Sequence, residues 1–151
     1  MEDKKREVVE LQIPSKAIRI QHAMCSRGHS LMNEKHTING YASVTVKVKF
    51  QDKEGLIHLD PIYGSFKNIY EVDIPEKAVV QVFCPECGVS LEDVGQTCHS
   101  CSAPMFALLL PHGGIIEGCM RNGCQFHFLK LADADELLDR LNQNHILDAY
   151  L

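Results

Sequence analysis

The sequence predicts a mainly β chain with one C-terminal helix: a small antiparallel sheet or barrel into which a metal-binding segment is inserted. Three observations lead there. Residues 41–50, YASVTVKVKF, alternate apolar and polar side chains, the period of two of a half-buried antiparallel strand. Short apolar runs and turn residues alternate along roughly the first 130 positions, the rhythm of a small sheet or barrel. The only long stretch with helical periodicity begins near Asp133.

The elements follow in order. Residues 8–13 and 17–22 read as short strands split by Pro14 and Ser15. In 41–50, Val44, Val46, Val48 and Phe50 face one way, and Thr45, Lys47 and Lys49 the other. QDKEG turns the chain, and 56–59 returns as the hairpin partner. Residues 69–74 and 78–83 are further strands, punctuated by Pro75. After the cysteine-rich segment, 105–110 is an apolar run ended by Pro111; Gly113 and Gly114 turn it, 115–117 starts back, and 126–131 is a last strand. Asp133 caps the helix with Glu136 three residues on, and Ala134, Leu137, Leu138 and Leu141 line one face. The chain thus divides into an N-terminal β region (8–83), a metal-bound subdomain (84–104), a returning hairpin (105–131) and a C-terminal helix and tail (133–151). All lie within a single domain, 1–151, and no internal repeat is read.

Composition narrows the function. The chain has 151 residues, 45% hydrophobic, enough for a core. No apolar run approaches the ~18 residues of a membrane span, and MEDKKREVVE has no apolar signal region. Seven cysteines in metal-type spacing point to a reducing, cytoplasmic setting and metal ligation rather than disulfides. Formal charge is −5. One zinc on four thiolates and another on three thiolates and an imidazole take it to about −8. That argues against strong nucleic-acid binding, which needs a basic face.

Cys84, Cys87, Cys98 and Cys101 are spaced C-x2-C, ten residues, C-x2-C. Four thiolates suit one tetrahedral zinc, and each pair can wrap a metal through a tight turn. The segment CPECGVSLEDVGQTCHSCSAPM resembles the small zinc-ribbon family, whose pattern is roughly CPxCGxxL, a spacer, then CPxCGxxL. The resemblance puts all four cysteines on the family's ligand positions and Leu91 on its apolar position. His99 and Ser102 depart from the usual Pro and Gly of the second turn. The resemblance covers about a seventh of the chain and implies a structural metal, and no particular reaction.

Cys25, Cys119 and Cys124 remain. HAMCSRGHSL gives Cys25-x3-His29 around Gly28; GCMRNGCQFH gives Cys119-x4-Cys124 with Gly118 and Gly123 beside the thiols. These predict a second zinc on Cys25, Cys119, Cys124 and His29, with His127 as the alternative fourth ligand and His22 as a supporting donor. Buried cysteines packing as small hydrophobes are the plain alternative.

No H-E-x-x-H, G-x-S-x-G, Walker or G-x-G-x-x-G motif is present, and no histidine has the glutamate two residues on that zinc deaminases need. An open three-ligand zinc on Cys25, Cys119 and Cys124 offers His58 or Glu117 as a candidate base. The reading that follows is a zinc-binding, non-enzymatic protein-interaction or scaffold module. Residues 89–96 and 63–66 are its candidate contact loops. Alternatives are a redox or metal sensor releasing zinc from thiolates, a rubredoxin-like iron site, and a metal-dependent enzyme.

Overall fold

Hydrogen bonding sorts the chain into two antiparallel sheets. The computed structural model describes residues 19–125 and 127–130. The expected strand at 8–13, the start of that at 17–22, and the C-terminal helix and tail at 133–151 lie outside the described residues.

The first sheet holds β1 (Met32–Ile38), β2 (Tyr41–Phe50), β3 (Lys53–Leu59), β4 (Ile69–Tyr70) and β5 (Gln81–Phe83). Its order is β1-β2-β3-β4, with β5 pairing β2 beside β1. The second holds β6 (Glu92–Thr97), β7 (Pro104–Leu109), β8 (Ile115–Cys119) and β9 (His127–Lys130), in that order. Alternation in β2 works as expected: Val44, Val46 and Val48 are buried and join the core, whereas Lys49 is exposed. Ser43 and Thr45 on the other face are buried as well, and Thr45 bonds His58 of β3. Asn39 and Gly40 both take positive φ between β1 and β2, the turn that suits the twist of a hairpin.

Two strands escaped the sequence reading, β1 and β6. Both are largely polar, and both break register with their neighbours, β1 between Asn33 and Thr37 and β6 between Glu92 and Thr97. A bulged edge strand with one solvated face offers little alternation to detect.

The larger correction concerns repeats: the two sheets are built alike. Within sheet one Val44 pairs Leu59 and Val46 pairs Ile57; within sheet two Phe106 pairs Gly118 and Leu108 pairs Ile116. Arg19 bridges Ile62 as Val79 bridges Arg121, and Ile20 N–H donates to Pro61 O as Val80 N–H donates to Met120 O. Leu31 N–H bonds Ala23 O and Leu31 O accepts from Thr45; Leu91 does the same with Val82 and Ala107. Residues 57, 59, 61 and 62 therefore answer to 116, 118, 120 and 121, each 59 positions on. The sequence carries the trace: Ile13-Pro14-Ser15-Lys16-Ala17 against Ile74-Pro75-Glu76-Lys77-Ala78, and Ser30-Leu31 against Ser90-Leu91.

The repeats exchange strands. Met24, just before Cys25, bridges Leu109 of the second sheet, whereas Phe83, just before Cys84, pairs Lys47 of the first. One continuous core results, running from Ile20 and Val44 to Leu108 and Leu129. Between the sheets the described residues leave a cavity of about 160 Å³, lined by repeat-equivalent pairs such as Ile20 and Val80, and Ile57 and Ile116.

Candidate metal centres

All seven cysteines and one histidine gather into two groups of four. Cys25, His29, Cys84 and Cys87 form the first; Cys98, Cys101, Cys119 and Cys124 form the second. Within each group the ligand atoms lie within 4.8 Å of one another.

Each group is made by two tight turns of the same design. The backbone N–H two residues beyond the first cysteine donates to its sulfur: Arg27 to Cys25 and Glu86 to Cys84 at 3.3 Å, Ser100 to Cys98 at 3.3 Å, and Arg121 to Cys119 at 3.4 Å. Backbone bonds close the turns, as with Gly88 N–H to Cys84 O at 2.9 Å and Ser102 N–H to Cys98 O at 2.8 Å. Gly123 holds φ +94° inside the Cys119–Cys124 turn, a conformation that costs glycine little.

The distances fit a shared cation. Four bonds of about 2.3 Å to sulfur and about 2.0–2.1 Å to nitrogen make tetrahedral edges of about 3.8 Å between sulfurs and about 3.6 Å from sulfur to nitrogen. Cys25 Sγ lies 3.9 Å from Cys87 Sγ and 3.6 Å from His29 Nδ1. Cys98 and Cys124 sulfurs are 3.8 Å apart, and those of Cys101 and Cys119 3.5 Å. Both groups are geometrically able to hold a metal ion.

The thiols are not alike. Burial pushes Cys25 up, but hydrogen bonds from the His29 and Arg27 backbone and the His29 ring outweigh it and bring it down to about 6. The Arg121 guanidinium, with Nε 3.3 Å from Cys101 Sγ, holds Cys101 down at about 6. Burial raises Cys84 and Cys119. Each group thus pairs a thiol that ionises readily with one that a cation must deprotonate.

The expected partition of ligands is corrected. All eight residues named from sequence are used, but Cys84 and Cys87 do not share a group with Cys98 and Cys101, and Cys25 and His29 do not share one with Cys119 and Cys124. The ten residues between Cys87 and Cys98 are not a hairpin loop. They contain β6, and six residues of strand span about 20 Å. The two turns sit at opposite ends of that strand. The segment 84–104 therefore does not close on one metal of its own. Of the alternatives, His127 is outside both groups; its ring packs edge-on to Tyr63 and Phe66 at 4.7 and 4.9 Å. His22 is exposed.

His36, His58 and Glu71 form a third cluster, which is a hydrogen-bonded one. His58 Nε2 to Glu71 Oε2 is 2.6 Å, too short for two ligands of one tetrahedron, whose edge is about 3.4 Å at 2.1 Å bonds. The two imidazoles stack at 4.1 Å and 9°, so their in-plane lone pairs do not converge. With Glu71 ionised, His58 donates from Nε2 and accepts the Thr45 hydroxyl at Nδ1, 2.8 Å away. Thr45 and His58 are buried, whereas His36 and Glu71 reach the surface. Glu117, the repeat-equivalent of His58, is buried without a hydrogen bond and faces Lys130 Nζ at 3.7 Å. Neither His58 nor Glu117 belongs to a cysteine group.

Of the two expected contact loops, 89–96 proves to be mostly strand, with Val94 84% exposed and Leu91 buried. In 63–66, Phe66 is exposed and Tyr63 packs against the core. Among the described residues, no helix is long and apolar enough to cross a membrane. Comparison with family models, curated proteins and solved structures found no match.

Proposed function

We propose that the protein is a zinc-binding, non-enzymatic module in which two zinc ions fix a double β unit that acts through protein contacts. The observation carrying this reading is the gathering of four ligand atoms within 4.8 Å in each group, with sulfur–sulfur and sulfur–nitrogen separations of 3.5–3.9 Å close to the edges of a zinc–thiolate tetrahedron. An imidazole in the first group favours zinc over a rubredoxin-like iron. Each group supplies four protein ligands, the closed arrangement of structural zinc; catalytic zinc keeps a position for water. The fixed unit presents Val94 and Phe66 at its surface, and these are the side chains offered to a protein partner.

A sensing role is the second reading, favoured by one observation. Cys101, Cys119 and Cys124 are each partly exposed, and Cys101 sits against a cation, the setting in which thiolates react with oxidants.

Native mass spectrometry with elemental analysis tests the proposal. Two zinc ions per chain, retained through dilution, are expected. Iron, or fewer than two metals in protein purified without chelator, overturns it. Loss of one zinc under mild peroxide, with the other kept, would favour the sensing role.

A further inference from the structure

The first repeat has no cysteine group of its own, and the position where one would sit is filled. Residues 60–65, DPIYGS, answer to 119–124, CMRNGC, by the 59-residue offset. Asp60 stands at Cys119 and Ser65 at Cys124. Gly64 keeps φ +87° where Gly123 has +94°. Ser65 N–H donates to Ile62 O at 3.0 Å as Cys124 N–H donates to Arg121 O at 3.1 Å. Ile62 N–H donates to the Asp60 carboxylate at 2.9 Å in the place of Arg121 N–H to Cys119 sulfur. The facing turn is reduced as well: the last pair of β6 and β7, Thr97 with Pro104, encloses Cys98 and Cys101, whereas the last pair of β1 and β2, Ile38 with Tyr41, encloses only Asn39 and Gly40.

We propose that the Asp60 cluster is the vacated counterpart of the four-cysteine metal site, a carboxylate ringed by donors holding in the first repeat the loop that a metal ringed by thiolates holds in the second. Asp60 is 7% exposed. It accepts from Asn39 Nδ2 on both oxygens at 3.0 and 2.9 Å, from Ile62 N–H at 2.9 Å, from Ser65 Oγ at 2.6 Å and from Lys67 N–H at 3.1 Å. Asn39 reaches Asp60 from the turn equivalent to the one that brings Cys98 and Cys101 to their partners. The polarity is inverted: a central anion takes four donor groups where a central cation takes four acceptors. Charge-assisted hydrogen bonds are the strong kind, and five from four donor groups satisfy this buried carboxylate. The cluster has no remaining acceptor positions aimed at a cation, so this loop takes no metal of its own. The two loops then answer to different conditions, the second to chelation and the first to loss of the Asp60 charge.

This rests on metal at the four-cysteine group, yet its test reads separately from metal identity. Amide hydrogen exchange is followed in the full chain, with metal counted by native mass spectrometry. Asp60→Asn is expected to speed exchange across 60–67 at least tenfold, leave 119–125 unchanged, and keep both metals. Cys124→Ser is expected to do the reverse: faster exchange at 119–125, none at 60–67, one metal lost. Ser65→Ala removes a single donor and serves as the milder variant if Asp60→Asn does not fold; a smaller change confined to 60–67 is expected. Unchanged exchange at 60–67 in these Asp60 and Ser65 variants, or loss of a metal on Asp60→Asn, overturns the proposal. A third zinc bound by the parent chain and lost from Asp60→Asn overturns it as well.

Discussion

Glu71 sits half outside the first sheet, yet it holds the ring of His58, which is wholly buried beneath it. The hydrogen bond from His58 Nε2 at 2.6 Å holds the Glu71 carboxyl below its ordinary 4.5, with burial opposing. A lowered carboxyl contributes stability above its unfolded value, and that contribution disappears as pH falls through the folded value. Glu71→Gln should therefore lower the urea midpoint at pH 7, and the gap from the parent should close below about pH 4. Equal gaps at pH 7 and pH 3 would show that the effect is packing and not charge. The second repeat arranges its equivalent pair the other way round, with the acid inside: burial, and then the Asp93 carboxyl beside it, push Glu117 up to about 7 against the pull of Lys130. The two repeats keep the same buried ionisable position and exchange its type, an imidazole at 58 and a carboxyl at 117.

At the scale of the strand, β6 decides the metal chemistry, because the turns at its two ends cannot meet. Double variants separate this arrangement from the one spacing alone suggests. Cys25→Ser with Cys84→Ser should cost one metal, since both residues serve the first group. Cys84→Ser with Cys98→Ser should cost both. A single metal surviving in the second pair of substitutions, counted by native mass spectrometry, would restore the view that 84–104 closes on itself. Which residues gather into groups able to hold a metal was legible in the sequence, because thiols beside glycines suit tight turns. Which turns share a metal was not, because residue spacing gives the length of a connection and says nothing of its direction. The same limit governs the strands. Tyr41–Phe50 was readable from three valines on one face. Met32–Ile38, MNEKHTI, offers only Met32 and Ile38 as apolar ends, and its bulge breaks even that pattern. The repeat was hidden for a related reason: I-P-x-K-A recurs at an offset of 61, β2 answers to β7 at 62 and β3 to β8 at 59, and the Cys25 turn is one residue shorter than the Cys84 turn. Drifting offsets defeat a search for a fixed period, while hydrogen-bond register absorbs them.

The two metal groups have different places in the whole molecule. The four-cysteine group lies inside the second repeat, between residues 98 and 124. The other takes Cys25 and His29 from the first repeat and Cys84 and Cys87 from the second, at equivalent turns. It joins the repeats where they exchange strands, Met24 to one sheet and Phe83 to the other. Treated as a cross-link, the joining group closes a loop of nearly sixty residues, worth about 4 kcal/mol of unfolded-chain entropy; the internal one closes fewer than twenty, worth about 3 kcal/mol. Losing the joining group also frees the inter-repeat pairing that its turns anchor, so the difference in the folded state should exceed this roughly 1 kcal/mol entropic gap. Cys25→Ser should accordingly melt lower than Cys124→Ser, although each loses one metal. The manner of unfolding should differ too. With the joining metal gone, the second sheet keeps its own metal and can outlast the first, so melting followed by hydrogen exchange should show sheet one opening before sheet two. With only the internal metal gone, the two sheets remain tied and should open together, apart from the 119–125 loop. If Cys124→Ser proves as costly as Cys25→Ser and both melt in one step, the joining group is no clamp and the core alone holds the repeats together.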